Sequence, residues 1–257
     1  MQTKNSTSSP QYLAKKSFFE KVLTIYGRNA VTEALEDTSL VIHKLHLSDS
    51  NKKAPALEKM IEVAKKRAIE IEYHDKKALS RISKNSKQDQ GVALDIVLEH
   101  FSNEEEFLAN NDSYRILALD GITNPQNLGM IIRSAAAGAI DAIILPSKGT
   151  AQISPLVIKA SVGTLFCMPI IKSNNLYKTL QNFQSHNAKL YTLSSYASQS
   201  YKEQAYPKKA IFVLGNESEG VSKEIERLCD LKIKIEMNRG VESLNVAVTA
   251  SLLAFME

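Results

Sequence analysis

The C-terminal stretch Ile233–Phe255, IKIEMNRGVESLNVAVTASLLAF, decides how the second half of this chain folds. It opens with a short run typical of a strand, continues through a polar loop around Gly240, and ends in an apolar helix. One stripe of that helix holds Leu244, Ala247, Val248, Ser251, Leu252 and Phe255, and the opposite face holds Val246, Ala250, Leu253 and Met256. A helix that is apolar on nearly every side is either buried or shared with a second subunit.

The predicted start of this helix is polar, since its first residues are Ser243, Leu244 and Asn245. One interpretation is structural: Ser243 is an N-cap whose hydroxyl accepts a hydrogen bond from a free backbone N–H group. The other interpretation is that Ser243 and Asn245 belong to a functional site. The polar loops that follow other strands favour this second interpretation.

The pattern of residues 114–257 predicts one α/β unit. Asn127 is well placed as the N-cap of the helix that follows its first strand. Several of its strands are continuous apolar runs: RILAL (115–119), AIIL (142–145) and AIFVL (210–214). Continuous apolar strands that alternate with helices indicate a largely parallel sheet covered on both faces. Ligands of such sheets bind beyond the carboxyl ends of the strands. We therefore expect the polar loops after Leu119, Leu214 and Ile235 to converge.

The N-terminal half predicts a smaller α/β domain over residues 21–100, preceded by a polar tail, residues 1–20. The acidic, Asn-rich segment 101–113 is predicted as a linker between the two domains. Residues 1–100 hold 17 basic and 13 acidic side chains, whereas residues 101–257 hold 15 of each. This basic surplus is a weak indication of a polyanionic partner.

Several classes of function are disfavoured by the sequence. No apolar run reaches the roughly 18–20 residues of a membrane span, and the first residues lack the apolar core of a secretory signal. We therefore expect a cytoplasmic protein whose Cys167 and Cys229 are reduced. No group of His and Cys residues has the spacing of a metal site, so no metal is predicted. The loop LGNESEG (214–220) matches neither a dinucleotide nor a phosphate-binding motif.

Three segments taken together are more specific: NPQNLGMIIRSAAAGAIDAIIL (124–145), FVLGNESEGVS (212–222) and IEMNRGVESLNVAV (235–248). In this order they resemble the three motifs of the SpoU-type RNA 2′-O-ribose methyltransferases of the SPOUT superfamily. The segments GRNAVTEAL (27–35) and QGVALDIV (90–97) resemble the substrate-binding domain of members that methylate ribosomal RNA. The resemblance implies a C-terminal trefoil-knotted domain, a smaller ribosomal-protein-like α/β domain, and a homodimer formed through the C-terminal domain.

The resemblance also implies a cofactor, S-adenosylmethionine, and assigns roles to residues of this chain. The cofactor would lie against backbone of Gly215, Ile235 and Leu244, together with Asn216, Gly220 and Met237. Five polar residues would surround the site of methyl transfer: Asn127, Arg133, Glu217, Ser243 and Asn245. Arg133 would be the centre of deprotonation of the ribose 2′-hydroxyl, and an RNA phosphate would share that task because the pKa of arginine exceeds about 12.

Two residues depart from the family pattern. Glu236 stands where a Pro usually follows the position of Ile235, and Asp89 stands where a His often precedes Gln90. Glu236 puts the cofactor contacts of the loop after Ile235 in doubt. Asp89 puts the RNA contacts of the loop at Gln90 in doubt. Two alternatives remain open: a transfer-RNA enzyme, or an RNA-binding or ribosome-assembly protein that keeps the fold without catalysis.

Overall fold

The computed structural model describes residues 18–19, 21–85, 87–98 and 101–256. The chain divides into two compact units, Met1–Glu99 and His100–Glu257. The predicted N-terminal tail, residues 1–20, lies almost entirely outside the described residues. In the part of the chain that is described, no helix combines the length and the apolar character needed to cross a bilayer.

The described residues of the first unit form a four-stranded sheet with three helices. Its strands are β1 (Val22–Tyr26), β2 (Val41–Ser48), β3 (Glu70–His74) and β4 (Val92–Val97), and its helices are α1 (Arg28–Glu36), α2 (Pro55–Lys66) and α3 (Lys76–Ser83). The strand order is β1-β4-β2-β3, in which β2 and β3 are parallel and the other neighbours antiparallel. Because side chains alternate along a strand, Leu45 and Leu94 are buried in the core while Lys44 and Asp95 lie on the other face.

The second unit is built on an eight-stranded sheet. Its strands are β5 (Phe101–Ser102), β6 (Tyr114–Leu119), β7 (Ala142–Pro146), β8 (Ile170–Ser173), β9 (Lys189–Leu193), β10 (Gln199–Ser200), β11 (Lys209–Leu214) and β12 (Leu231–Lys234). Their order is β10-β12-β9-β11-β6-β7-β8-β5, and each of these neighbouring pairs is parallel. The prediction of an α/β fold with a largely parallel sheet is confirmed.

The helices of the second unit connect and cover these parallel strands. They are α4 (Glu104–Asn110), α5 (Pro125–Ala137), α6 (Pro155–Ser161), α7 (Leu176–Ser185), α8 (Lys223–Leu228) and α9 (Val246–Ala254). The predicted apolar stripe of α5 is buried at Leu128, Ile131, Ile132 and Ala135. Helix α5 packs against both α6 and α9, so the first and third resembling segments are neighbours in the fold.

The prediction of a linker at residues 101–113 is wrong. Strand β5 pairs with β8, and α4 follows with Asn103 as its N-cap. Phe107 of α4 is buried and contacts Tyr114 and Phe183, with ring centroids 5.5 and 6.2 Å away. The three glutamates at positions 104–106 form the first turn of α4, where negative charge stabilises a helix. Acidic composition therefore marks a helix start here and not a connection between domains.

The C-terminal helix differs from its prediction in two ways. It begins at Val246, and its N-cap is Asn245, so Ser243 is not the cap. Its buried residues are Val246, Ala247, Ala250, Leu253 and Ala254. Three of these belong to the face predicted opposite the stripe, whereas Val248 and Phe255 of the stripe are exposed, at 43% and 62% of their surfaces.

Candidate active site

The loops after β6 and β11 are joined by hydrogen bonds at the carboxyl edge of the large sheet. The two strands are adjacent and in register at their ends, so the Asp120 N–H donates to the Leu214 carbonyl at 2.8 Å. Asn216 donates through Nδ2 to the Gly121 carbonyl at 2.9 Å. The Ser222 N–H donates to Asp120 Oδ2 at 2.7 Å. These bonds fix the two loops against each other.

A cluster of Asn127, Glu217 and Asn245 joins these loops to the segment after β12. Glu217 Oε1 accepts hydrogen bonds from Asn127 Nδ2 at 3.0 Å and from Asn245 Nδ2 at 2.6 Å. Asn245 Nδ2 also donates to Asn127 Oδ1 at 3.1 Å. We call these three residues the amide–carboxylate cluster. It unites one residue from each of the three segments that carry the family resemblance.

Asn245 and Glu217 also bond to the backbone at the start of α9, whereas Asn127 does not cap its own helix. Asn245 Oδ1 accepts from the N–H groups of Ala247 and Val248, which satisfies free donors at the start of α9. Glu217 Oε1 accepts from the Val246 N–H at 3.3 Å, so its negative charge lies at the positive end of that helix. Asn127 is buried in the first turn of α5, where Asn124 is the N-cap instead. The capping role predicted for Asn127 is therefore wrong.

Gly215 and Gly220 are required by the loop itself. Backbone hydrogen bonds in both directions join residues Asn216 and Gly220, at 3.0 and 2.8 Å. A Cβ atom on Gly215 would lie 2.1 Å from the carbonyl carbon of Gly220, so no larger residue fits there. Gly220 has φ of +72°, a backbone conformation that residues with a Cβ rarely adopt. The glycines thus shape a tight turn beside the cluster.

A cavity of about 150 Å³ lies between this turn and the start of α9. Four of the six residues predicted to bind the cofactor line it: Gly215, Asn216, Gly220 and Leu244. The other two, Ile235 and Met237, are partly exposed and do not line it. The remaining lining is mostly apolar, from Leu193, Val213, Leu214, Val221 and Val246, with Glu217 and Thr249 as polar residues. The first motif contributes no lining residue.

Arg133 and Ser243 lie outside the amide–carboxylate cluster. Arg133 is exposed on α5, away from its buried stripe, and Ser243 is exposed in the loop before α9. Within the described part of the chain, neither side chain forms a hydrogen bond or an ion pair. The structure therefore brings together three of the five predicted catalytic residues, and it does not bring Arg133 or Ser243 into that cluster.

The two departures from the family pattern have structural roles. Glu236 accepts a hydrogen bond from Ser200 Oγ at 2.9 Å, which joins the third loop to the edge strand β10 and lowers the pKa of the Glu236 carboxyl group. Asp89 is buried, and its carboxylate accepts from Ser83 Oγ at 3.1 Å and from the Gly91 N–H at 3.0 Å. Asp89 closes its own loop and is not positioned as an exposed RNA contact.

The first unit contains a larger cavity, of about 650 Å³, at the loop that ends in Gln90. Its charged lining residues are Arg28, Lys76, Lys87 and the buried Asp89. Gln90 holds the start of α1 here, because its Oε1 accepts from the Arg28 N–H at 2.9 Å. Because Asp89 is buried, the charges that this cavity presents to solvent are those of its basic residues, as a phosphate-binding surface requires.

The geometry can be compared with known proteins. Residues 114–255 match the model of the SpoU rRNA methylase family. The chain belongs to this family. Residues 24–101 match the model for RNA 2′-O ribose methyltransferase substrate binding. The family prediction made from the three segments is confirmed.

Two curated relatives and one solved structure illustrate the similarity. A putative TrmH family tRNA/rRNA methyltransferase of Staphylococcus epidermidis is 31% identical over 238 residues, 91% of this chain and 94% of that protein. The 23S rRNA (guanosine-2′-O-)-methyltransferase RlmB of Xanthomonas axonopodis pv. citri is 30% identical over 235 residues, 90% and 94% of the two chains. An AdoMet-bound rRNA methyltransferase of Sinorhizobium meliloti aligns with a TM-score of 0.62 at 22% identity, over 96% of this chain and 88% of that one.

Sequence reasoning missed how the cluster is held together. It placed Glu217 beside the site of methyl transfer but did not foresee that Glu217 accepts hydrogen bonds from two asparagines and one backbone N–H. It also passed over Asp120, which connects two of the loops. A carboxylate directly after a buried strand, in the sequence LALDG, was the available signal for Asp120.

Proposed function

We propose that this protein transfers the methyl group of S-adenosylmethionine to a ribose 2′-hydroxyl of ribosomal RNA, at a guanosine. The observation that carries the proposal is the amide–carboxylate cluster, in which Asn127, Glu217 and Asn245 join the three family motifs beside one cavity. The relatives support this choice of substrate, since an enzyme that is named for methylating guanosine in 23S rRNA aligns with 90% of this chain.

The chemistry of the cavity fits the cofactor, but its volume requires movement. Apolar walls at Leu193 and Leu244 suit an adenine ring, and the carboxylate of Glu217 suits a positively charged sulfonium. Ligand pockets usually measure about 300–1,000 Å³, whereas this cavity measures about 150 Å³. The loop of residues 235–245 contains no helix or strand and can open to admit the cofactor. Gly215, Ile235 and Leu244 would then contact it through backbone, with Asn216, Gly220 and Met237 beside them.

Bound S-adenosylmethionine supplies an electrophilic methyl group, and the chain must supply the rest. A neutral ribose hydroxyl is a weak nucleophile, so its proton has to leave as its oxygen attacks. Arg133 positions the hydroxyl and, with an RNA phosphate, favours the departure of that proton. Ser243 orients the ribose, while the amide–carboxylate cluster keeps the three loops in place. No metal ion takes part in this scheme.

Residues 21–100 would bind the RNA substrate. Arg28, Lys76 and Lys87 border a cavity deep enough for a phosphate group, and neutralising phosphates releases counterions. We assign this domain a ribosomal-protein-like fold and the second unit, His100–Glu257, the trefoil knot of the superfamily. The similarity to a relative that is named for methylating 23S rRNA favours ribosomal over transfer RNA as substrate.

We further propose that the enzyme is a cytoplasmic homodimer formed through its C-terminal domain. Met130 on α5 and Val248 and Phe255 at α9 expose 45%, 43% and 62% of their surfaces, and the two helices pack together. A second copy would cover this apolar surface. Sedimentation of the wild type against Val248→Glu tests it: a dimer that dissociates in the variant is expected, and a monomeric wild type would contradict it.

Mass spectrometry of nuclease-digested RNA tests the reaction. Total RNA from a strain lacking the gene is incubated with the enzyme and methyl-labelled cofactor, with and without a chelator. We expect label on the ribose of one guanosine of large-subunit rRNA in both cases. Label on a base, label confined to transfer RNA, or no label at all would each refute the assignment.

A further inference from the structure

The polar face of the first unit's sheet holds a group of side chains that methyl transfer does not use. Strands β2 and β3 are paired so that His46 lies opposite Glu72 and Ser48 lies opposite His74. Glu72 and His74 are two positions apart on β3, so they point to the same face. One donor atom from each of His46, Glu72 and His74 lies within 4.8 Å of the others. The sequence predicted no metal here, because 28 positions separate the two histidines.

One nitrogen atom of each imidazole ring faces one nitrogen atom of the other ring. His46 Nδ1 lies 2.9 Å from His74 Nε2. Two nitrogens bound to one tetrahedral Zn²⁺ lie about 3.3 Å apart, because each Zn–N bond is about 2.0–2.1 Å long. A small rotation of the half-exposed His74 ring supplies that difference. The carboxylate of Glu72 adds an oxygen ligand and leaves one coordination position for water.

His46 is already oriented as metal-binding histidines usually are. Its other ring nitrogen, Nε2, lies 3.1 Å from Asp95 Oδ2, and Thr24 Oγ1 donates to Asp95 Oδ1 at 2.6 Å. When His46 donates through Nε2–H to the carboxylate of Asp95, the lone pair of Nδ1 faces His74.

The local charge also suits a divalent cation. Three carboxylates face this region, from Glu70, Glu72 and Asp95, together with the ammonium of Lys44. With neutral imidazoles these charges sum to −2. Lys44 bonds to Glu72 Oε2 at 2.8 Å and to Glu70 at 2.9 Å, so it competes for the same carboxylate. The metal ion must therefore displace the ammonium of Lys44 from the carboxylate of Glu72.

We propose that His46, Glu72 and His74 bind a divalent transition-metal ion of the zinc class. Two imidazole nitrogens and one carboxylate oxygen are ligands that zinc commonly takes. Binding moves the proton of His74 from Nε2 to Nδ1, so that both facing nitrogens donate lone pairs to the metal. The ion would join β3, the edge strand of the sheet, to its neighbour β2. This site lies in the first unit, apart from the residues assigned to methyl transfer.

Titration calorimetry with zinc chloride tests the proposal on the full chain. The background is Cys167→Ser, since the exposed thiol of Cys167 is itself a zinc ligand. We expect one ion per chain and an affinity at least tenfold weaker in Glu72→Gln and His74→Gln. The matched control, His186→Gln, removes an exposed histidine outside the group and should bind as the background does. Lys44→Gln should bind zinc more tightly, because it removes the competing ammonium.

A second readout follows the two strands directly. Hydrogen exchange of the β3 amides should slow when zinc is added to the background protein, and it should not change in His74→Gln. Circular dichroism confirms that the variants are folded. The proposal fails if no stoichiometric binding occurs, if His74→Gln binds like the background, or if His186→Gln weakens binding equally. In those cases His46 and His74 form a hydrogen-bonded pair only.

Discussion

The predicted catalytic residues divide into two sets that the structure treats differently. Asn127, Glu217 and Asn245 bond to one another, and Asn245 uses both its amide oxygen and its amide nitrogen. Arg133 and Ser243 are exposed and, among the described residues, have no side-chain partner. Side chains that already bond to one another have fewer hydrogen bonds left for a substrate. We therefore expect the first set to position the loops and the second set to contact RNA.

Arg133→Ala is the strongest test of this division. Arg133 lies off the buried stripe of α5, so its truncation opens no cavity and leaves stability within about 0.5 kcal/mol. Methyl transfer should fall by about 10²–10⁴-fold, the usual contribution of a proton-transfer group. Arg133→Lys should restore little, because an ammonium lacks the planar guanidinium fork. Single-turnover rates measured beside cofactor affinity check this. A folded Arg133→Ala enzyme with near-normal turnover would remove Arg133 from the active site.

Glu217→Ala should show the opposite pattern, with losses of stability and cofactor binding. It removes the acceptor of Asn127, Asn245 and the Val246 N–H, at a cost of about 1–2 kcal/mol in unfolding free energy. Glu217 also lines the cavity, so cofactor affinity should fall roughly tenfold. Urea unfolding and calorimetry measure the two effects. The exposed Glu219→Ala, in the same loop, is the matched control and should change neither.

If Glu217→Ala lowered the transfer rate without affecting stability or cofactor binding, Glu217 would act on the substrate directly. The division between positioning residues and substrate-contacting residues would then be wrong.

Two substitutions of Asn245 separate its role as the N-cap of α9 from its bonds to the other members of the cluster. Asn245→Ser keeps a cap for α9 and loses the amide donor to Glu217 and Asn127, so it should cost less than about 1 kcal/mol. Asn245→Asp also keeps the cap, but its carboxylate would face Glu217 where the donor now lies 2.6 Å away. Two facing carboxylates raise the pKa of one of them, so the repulsion is present at neutral pH and is lost as pH falls. Asn245→Asp should therefore be less stable than Asn245→Ser at pH 7, with the gap closing towards about pH 5.

Equal stability of the two variants across that pH range would show that Asn245 acts as a helix cap alone. Unfolding curves at both pH values decide the matter.

Much of the second unit was predictable because local patterns determine it. The buried stripe of α5 follows from residues three and four apart, and the parallel sheet follows from continuous apolar strands. The pairing of Phe101 with Ile170 is long-range, so the acidic composition around it misled the linker prediction. Which face of α9 is buried also depends on a distant partner, α5. Both faces are apolar in sequence, and periodicity cannot choose between them.

In the candidate site, too, features set by local sequence patterns were predictable and long-range contacts were not. The convergence of three loops could be expected from the carboxyl ends of parallel strands. The bonds that Glu217 makes to Asn127 and Asn245 could not, since they join positions 90 and 28 residues apart. Side-chain partners at such separations are set by packing, which leaves no local trace in a single sequence.

Ser243→Ala should have the smallest effect. Because α9 is capped by Asn245, removing the exposed Ser243 hydroxyl should leave unfolding free energy within about 0.5 kcal/mol and cofactor affinity unchanged. A neutral hydrogen bond to substrate contributes about 0.5–1.5 kcal/mol, so transfer should slow by roughly 2–10-fold. Single-turnover kinetics and urea unfolding on the same samples test both statements. Destabilisation by about 1 kcal/mol or more, the usual cost of losing an N-cap, would mean that Ser243 caps the helix in solution, and Ser243 would then move from the substrate-contacting set to the positioning set.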